Sequence, residues 1–143
     1  MTTSSWQLWA LLSAAFAALT AVFAKVGVAN VNPDLATLIR TIVVVCALAI
    51  IVTATRQWQP LNMLSGRTLT FLVLSGLATG ASWVCYFRAL KLGDAAQVAP
   101  IDKLSVVFVA VFSTLFLGEQ LAALNWLGVG LIALGAILVA YRP

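Results

Sequence analysis

The sequence predicts an all-α integral membrane domain with five transmembrane helices, and two observations lead to this class. Of the 143 residues, 63% are hydrophobic and 8% are charged, whereas soluble domains carry about 25% charged residues. The apolar residues also fall into long runs, each near the ~20 residues that cross a bilayer as a helix. So few charges cannot coat a soluble core of this size. The surplus apolar surface therefore faces lipid.

The charged and metal-ligating residues exclude several other classes of protein. The net charge is +4, but the basic residues are scattered singly, so we expect no nucleic-acid partner. Cys46 and Cys85 lie inside apolar runs and the chain has no histidine. We therefore expect no disulfide, no metal site and no cofactor. A multi-pass protein of the inner (plasma) membrane is the class that remains.

The five predicted helices span residues of about 6–24, 34–55, 68–92, 95–117 and 122–141, within a single domain covering residues 1–143. The first run resembles a secretory signal, but no Lys or Arg precedes it and it is longer than a signal core, so we keep it as a span. Pro33 suits the first position of the second helix, and Ser65 opens the third. Asp94 and Gln97 have the spacing of a capping box at the start of the fourth helix. The fifth helix is apolar and glycine-rich, which predicts a peripheral helix or a helix–helix interface.

The fourth helix contains the most informative polar residues. Pro100 cannot donate to the Ala96 carbonyl and should bend the helix. Asp102 and Lys103 follow directly, and a charge in mid-membrane costs about 2.5–3.5 kcal/mol. Neighbouring helical residues point about 100° apart, so we expect these two side chains not to face each other. Either Asp102 pairs with a Lys or Arg of another helix while Lys103 snorkels to the nearer interface, or the two line a polar pocket in which Asp102 meets a cation or proton and Lys103 meets an anion.

Hydroxyl groups follow one face of the third helix and extend the possible pocket. Their spacing of i, i+4, i+7 and i+11 is helical, and the residues are Ser75, Thr79, Ser82 and Tyr86. These hydroxyls either bond back to their own helix or line a cavity with Ser105 and Ser113 of the fourth helix. Gly76 and Gly80 beside them form a GxxxG step that permits close helix approach. The hydroxyl face predicts a substrate-contacting wall.

The remaining cations decide orientation and pairing. Arg40, in the opening turns of the second helix, either snorkels to the interface or pairs with a carboxylate. Five spans place the termini on opposite sides of the membrane. Basic residues are fewer on the side of the N-terminus (Arg56, Arg67) than on the other (Lys25, Arg40, Arg88, Lys91, Arg142). The positive-inside rule therefore favours an outward N-terminus, and the bias argues against dual topology.

Four segments together resemble the EamA domain of the drug/metabolite transporter superfamily. They are Tyr86–Gly93 (YFRALKLG), Ala99–Phe108 (APIDKLSVVF), Phe116–Gln120 (FLGEQ) and Asn125–Gly130 (NWLGVG). The resemblance extends over nearly the whole chain. It implies export of a metabolite or drug by proton coupling or exchange, and family members commonly carry two such domains as inverted repeats. The small multidrug exporters of the superfamily have an essential glutamate in the first helix, and here that helix has no carboxylate.

The resemblance implies that this single repeat needs a second half. That half is another copy of the chain, in an antiparallel homodimer, or a separately encoded partner. We expect Asp102 to couple a cation or proton, Lys103 to hold a substrate anion or tune the protonation of Asp102, and the hydroxyls to contact a small polar substrate. A membrane subunit that scaffolds or completes another transporter is the main alternative. An enzyme is disfavoured, because no nucleophile–base set is visible.

Overall fold

The computed structural model describes residues 5–60 and 63–141, and every regular element in these ranges is helical. The α-helices are α1 (Ser5–Gly27), α2 (Pro33–Ala54), α3 (Gly66–Leu92), α4 (Ala95–Asp102), α5 (Ser105–Phe112) and α6 (Ala123–Ala140), with a π-helical turn at Ser113–Leu117. α4, α5 and this turn form one span, so five segments are long and apolar enough to cross a membrane. The predicted fold class is confirmed. Each span ends within three residues of its predicted bounds. Arg142 lies outside the described residues.

The helices divide between two compact units. Val26–Lys91 forms one unit, which contains α2 and α3. The other unit contains α1 as far as Lys25, together with α4, α5, the π-helical turn and α6. Within this second unit α6 packs against α4 and α5, so the fifth span is a helix–helix interface, one of its two predicted roles.

Side-chain caps define the beginnings of α2 and α3. The Asn32 side-chain oxygen accepts from the backbone N–H groups of Asp34 (2.9 Å) and Leu35 (3.4 Å), and Pro33 occupies the first helical position, as predicted. Ser65 Oγ accepts from the Thr68 N–H at 3.1 Å. Each bond satisfies a donor that the first helical turn would otherwise leave without a partner.

The unit of α2 and α3 has a small core at the end where α2 begins and α3 ends. Thr37, Phe87 and Leu90 are buried there, as is Val28 in the segment that leads into α2. Lys91 Nζ donates to the carbonyls of Val28 (3.0 Å) and Ala29 (2.6 Å) and fixes this segment to the last turn of α3. The remaining apolar side chains are largely exposed, as lipid-facing surfaces require.

The fourth span starts without the predicted capping box. Asp94 occupies the N-cap position, but its side chain makes no capping hydrogen bond to the helix. The Gln97 N–H, which a capping box would use, instead donates to the Asp94 backbone carbonyl at 3.0 Å. The position of the cap was therefore predicted correctly and its hydrogen bond was not.

The same span is interrupted one turn beyond Pro100. α4 ends at Asp102 and α5 begins at Ser105. The N–H groups of Leu104, Val106 and Val107 donate three residues back, at 2.9–3.0 Å, instead of four. Pro100 itself lies within α4. The bend that we predicted at Pro100 stays a prediction, whereas the break in the helix lies at Lys103 and Leu104.

The fourth span closes in a wider turn. The Gly118 N–H donates to the Ser113 carbonyl, five residues earlier, and the Glu119 N–H reaches the same oxygen at 3.2 Å. Gly118 has a φ of 68°, a left-handed conformation that glycine adopts without steric cost. This turn stops the helix and releases the chain toward α6.

Candidate functional site

Asp102 and Lys103 form an ion pair at the break in the fourth span. Lys103 Nζ lies 3.4 Å from Asp102 Oδ2. Our expectation that the two side chains would not face each other is wrong, because it assumed a continuous helix. Lys103 instead occupies the turn after α4, and its long side chain curls back to the preceding carboxylate.

This ion pair is loosely held and accessible. The Asp102 side chain is 37% exposed and the Lys103 side chain 57% exposed. A 3.4 Å separation is long for a charge-assisted hydrogen bond. The contact therefore does not use the full hydrogen-bonding capacity of either group. Asp102 and Lys103 thus place an acid and a base inside a membrane span. The acid can bind a cation or a proton, and the base can bind an anion.

The other polar residues predicted in the fourth span lie farther along it. Ser105 is the first residue of α5 and is exposed. Ser113 is half-buried at the end of α5, about 12 Å from Ser105 at 1.5 Å per residue. In an unbroken helix Ser113 would lie about three turns beyond Asp102 on the same face, and the interruption removes the basis for that alignment. A role for Ser105 and Ser113 in substrate binding stays a prediction.

The predicted hydroxyl wall lies on α3, in the unit of α2 and α3. Ser75, Thr79 and Ser82 are exposed and Tyr86 is half-buried. Thr79 Oγ1 donates to the Ser75 carbonyl at 2.8 Å, so at this position the hydroxyl bonds back to its own helix. The contribution of the other hydroxyls to substrate binding stays a prediction.

The two glycines beside this wall are not closely approached within the described chain. A Cβ added at Gly76 or at Gly80 would meet none of the described atoms of neighbouring residues within 4 Å. Among the described residues the GxxxG step therefore serves no close packing, and its use by a helix of another chain stays a prediction.

An ion pair that the sequence analysis missed joins α2 to α3. Arg88 donates from Nε to Asp34 Oδ1 at 3.0 Å and from Nη2 to Asp34 Oδ2 at 2.8 Å. This fork-to-fork geometry is the strongest form of a guanidinium–carboxylate contact. The sequence had indicated only a role for Arg88 in membrane orientation. Opposite charges at the start of one span and the end of the next were the signal for this pair.

Arg40 lies about 1.7 turns beyond Asp34 along α2. It has no carboxylate partner among the described residues. Its Cζ lies 3.8 Å from the centre of the Trp83 ring and 5.6 Å from that of Phe87. The pairing of Arg40 with a carboxylate that we considered is therefore not found in the described chain. The structure offers a cation–π contact with α3 instead.

The comparisons with known proteins agree with this architecture. Residues 4–141 match the EamA-like transporter family. An uncharacterized transporter in the cobO 3'region of Sinorhizobium sp is 71% identical over 95% of this chain and 96% of its own length. A probable 4-amino-4-deoxy-L-arabinose-phosphoundecaprenol flippase subunit, ArnE of Aeromonas hydrophila, is 33% identical over 58% of this chain and 75% of its own.

A longer relative is also similar to the chain. The uncharacterized transporter sll0355 of Synechocystis is 28% identical over 97% of this chain, and the match covers 42% of that protein. No solved structure has a significant match. The five apolar helices and the family match indicate a multi-pass membrane protein, of the inner membrane in bacteria. The family and the names of the relatives point to a transporter rather than an enzyme.

Proposed function

The chain belongs to the EamA-like transporter family, within the drug/metabolite transporter superfamily, and from this premise we propose that it exports a small polar metabolite or drug. It works as a dimer of inverted five-helix halves and couples export to proton movement or exchange. The ion pair of Asp102 and Lys103 at the break in the fourth span is the observation that carries this proposal.

Interrupted helices are a recurring device for binding substrates and ions in secondary transporters. The turn at Lys103 and Leu104 breaks the regular backbone ladder inside an apolar span. Polar backbone groups at membrane depth are tolerated where they are buried in protein or line a water-filled cavity. The break and the accessible pair beside it therefore favour a water-filled cavity at this point.

The pair also supplies a simple coupling mechanism. Ionised Asp102 holds Lys103 at 3.4 Å. When Asp102 takes up a proton, the ion pair is lost and Lys103 becomes free to hold an anionic group of the substrate. Release of that proton restores the pair and expels the substrate. The contact between Asp102 and Lys103 thus links the binding of the substrate to the binding of the proton.

The lengths of two relatives support an assembly of two halves. This chain corresponds to 42% of the Synechocystis transporter, which leaves room there for a second repeat. It corresponds to 96% of the Sinorhizobium transporter, which has the length of one repeat. A repeat with five spans is inverted when it is used twice in tandem, and transporters place their sites between such repeats. Two antiparallel copies of this chain would reproduce that arrangement.

The proposal is tested with proteoliposomes loaded with an isotope-labelled extract of bacterial metabolites. Mass spectrometry of the external medium should detect at least one metabolite that leaves only when the protein is present. An outward proton gradient, with an acidic lumen, should accelerate this efflux, because in this mechanism the substrate binds when Asp102 is protonated and the proton and substrate leave together. Asp102→Asn should lower its rate at least tenfold, because the variant cannot exchange a proton.

Glu119→Gln is the matched control for the loss of a carboxylate. Glu119 lies beyond the fourth span, in the exposed connection to α6, so this variant should keep the wild-type rate. Efflux that is absent, or that is equally fast with Asp102→Asn, would contradict the proposed mechanism.

A second function is favoured by one relative. The Aeromonas protein ArnE is named as a subunit of a flippase, so a chain of this kind can act as part of a larger transporter. Under this alternative the present chain scaffolds or completes a separately encoded half and moves nothing alone. Affinity purification from native membranes would then recover a second membrane protein in equal amount, and Asp102→Asn would reduce that recovery before it changed transport.

A further inference from the structure

Arg40 presents an unusual combination of charge and surroundings. It lies seven residues after Pro33, the first residue of α2, which places it about 10 Å along the helix. Asp34 is about 9 Å nearer the start of α2 by the same measure, and its pair with Arg88 is bidentate. Arg88 is therefore neutralised by Asp34, whereas Arg40, which lies deeper in the span, has no carboxylate partner among residues 5–60 and 63–141.

The contact with Trp83 occupies only one part of the Arg40 guanidinium. The group lies over the ring with its Cζ 3.8 Å from the ring centre, and Phe87 lies beyond at 5.6 Å. In the described chain no hydrogen bond joins Arg40 to a protein acceptor, so the N–H groups of the guanidinium fork remain available. The side chain as a whole is half-buried.

Two hydroxyl groups of α2, those of Thr37 and Thr41, do not use these donors. Thr37 Oγ1 donates to the Pro33 carbonyl at 2.8 Å, and Thr41 Oγ1 donates to the Thr37 carbonyl at 2.7 Å. Both threonines are thus committed to the backbone of α2. The aromatic rings hold the arginine in place, and among the described residues no acceptor uses its hydrogen-bonding capacity.

We propose that Arg40, held over Trp83 and Phe87, binds an oxyanion of the transported substrate, a carboxylate or a phosphate. A guanidinium offers a planar fork of donors that matches these groups in a bidentate manner. Inside an apolar span such an anion also neutralises a charge that is otherwise costly to keep there. The inference rests on the proposed transport function and adds to it a second cationic group, besides Lys103, that binds an anionic part of the substrate.

Trp83 provides the readout, because its ring lies against the binding group. The other tryptophans (Trp6, Trp9, Trp58 and Trp126) are replaced by Phe, and the protein is studied in phosphate-free dodecyl maltoside micelles. The probes are inorganic phosphate, succinate and succinamide, which has the shape of succinate without its charge. Sodium chloride at equal ionic strength controls for screening.

The proposal predicts a saturable change in Trp83 emission with phosphate or succinate and none with succinamide or chloride. Arg40→Gln should abolish the response. Arg40→Lys keeps the charge without the planar fork and should weaken binding at least tenfold. Arg67→Gln is the matched control, because Arg67 also lies near an aromatic ring, 5.9 Å from that of Phe71, but at the start of α3. It should leave the response unchanged.

Three results would overturn the proposal: no saturable response of the parent protein to either anion, a response that survives Arg40→Gln, or a response to added phosphatidylglycerol alone. The last would assign Arg40 to a lipid headgroup. The comparison of succinate with succinamide needs no variant and stays decisive if Arg40→Gln does not fold. Efflux without a Trp83 response would reject this inference and leave the transporter intact, whereas a response without efflux would keep the anion site and reject the transport function.

Discussion

At the level of single residues, four of the described cations in or beside the spans reduce the cost of their charge in different ways. Lys91 donates to backbone carbonyls, and Arg88 binds a carboxylate in a bidentate manner. Arg40 lies over an aromatic face, and Lys103 pairs with a neighbouring carboxylate. Only the last two keep capacity for another ligand. This difference is the reason that we assign Arg40 and Lys103 to function and the other two to structure.

The bidentate pair should behave as a structural tie between α2 and α3. Asp34→Asn and Arg88→Gln should each lower the midpoint of thermal unfolding, measured on the purified protein in micelles. The double variant should lower it by clearly less than the sum, because either single change already breaks the pair. A cycle of Asp34→Asn with Arg67→Gln, an arginine in the same helix without this contact, should be additive. Additivity in the first cycle as well would show that the pair contributes nothing.

The sequence predicted which polar residues lie in the spans better than it predicted their partners. Asp102, Lys103 and Arg40 were recognised because charges stand out in apolar runs. Asp34 and Arg88 are 54 positions apart, and no periodicity within one helix relates them. Pairing between helices depends on how the helices pack, which local patterns do not encode.

At the level of elements, the fourth span differs most from a regular helix. It is broken at Lys103 and Leu104, widens into a π-helical turn at Ser113–Leu117, and stops at Gly118. π-Helical turns inside longer helices frequently mark functional sites. An irregular span beside more regular ones is the arrangement expected of the helix that carries the site.

The stop at Gly118 gives a prediction about the backbone. Gly118→Ala should destabilise the protein by about 1 kcal/mol, because an L-residue is disfavoured at a φ of 68°. Gly130→Ala in α6 is the control, since an added Cβ meets nothing within 4 Å at either glycine. Its effect should be neutral or stabilising. Unfolding in denaturant measures both, and equal effects would show that the left-handed conformation is not what Gly118 provides.

The break in the fourth span shows where sequence patterns fail at this level. Pro100 correctly marked an irregular region, because proline removes a backbone donor. It did not mark the position of the break, since the regular hydrogen-bond ladder is lost only at Leu104. The prediction that Asp102 and Lys103 point apart failed for the same reason, as it applied regular helix geometry to the residues where that geometry ends.

At the level of the whole molecule, hydropathy predicted the five spans and their approximate ends because the bilayer imposes one length on each. It did not predict what the exposed faces meet. Large apolar side chains such as Leu74 and Leu131 are 54% and 61% exposed, and lipid and a second protein copy are both suitable neighbours for them. The number of copies is therefore the central question about this half-transporter domain.

The antiparallel homodimer can be tested by measuring topology and self-association together in one experiment. Cys46 and Cys85 are free thiols and are replaced by Ala. Asn30→Cys and Gln57→Cys then place single thiols in the exposed connections before and after α2, on opposite sides of the membrane. The two variants carry different tags and are co-expressed, then labelled with an impermeant maleimide and cross-linked in native membranes.

The account predicts that each thiol is labelled from both sides of the membrane and that position 30 of one copy cross-links to position 57 of another. These two positions share a side only when the copies are antiparallel. If each thiol is labelled from one side alone and no such cross-link forms, the antiparallel homodimer is contradicted, and the chain is one half of a transporter whose other half is a different protein.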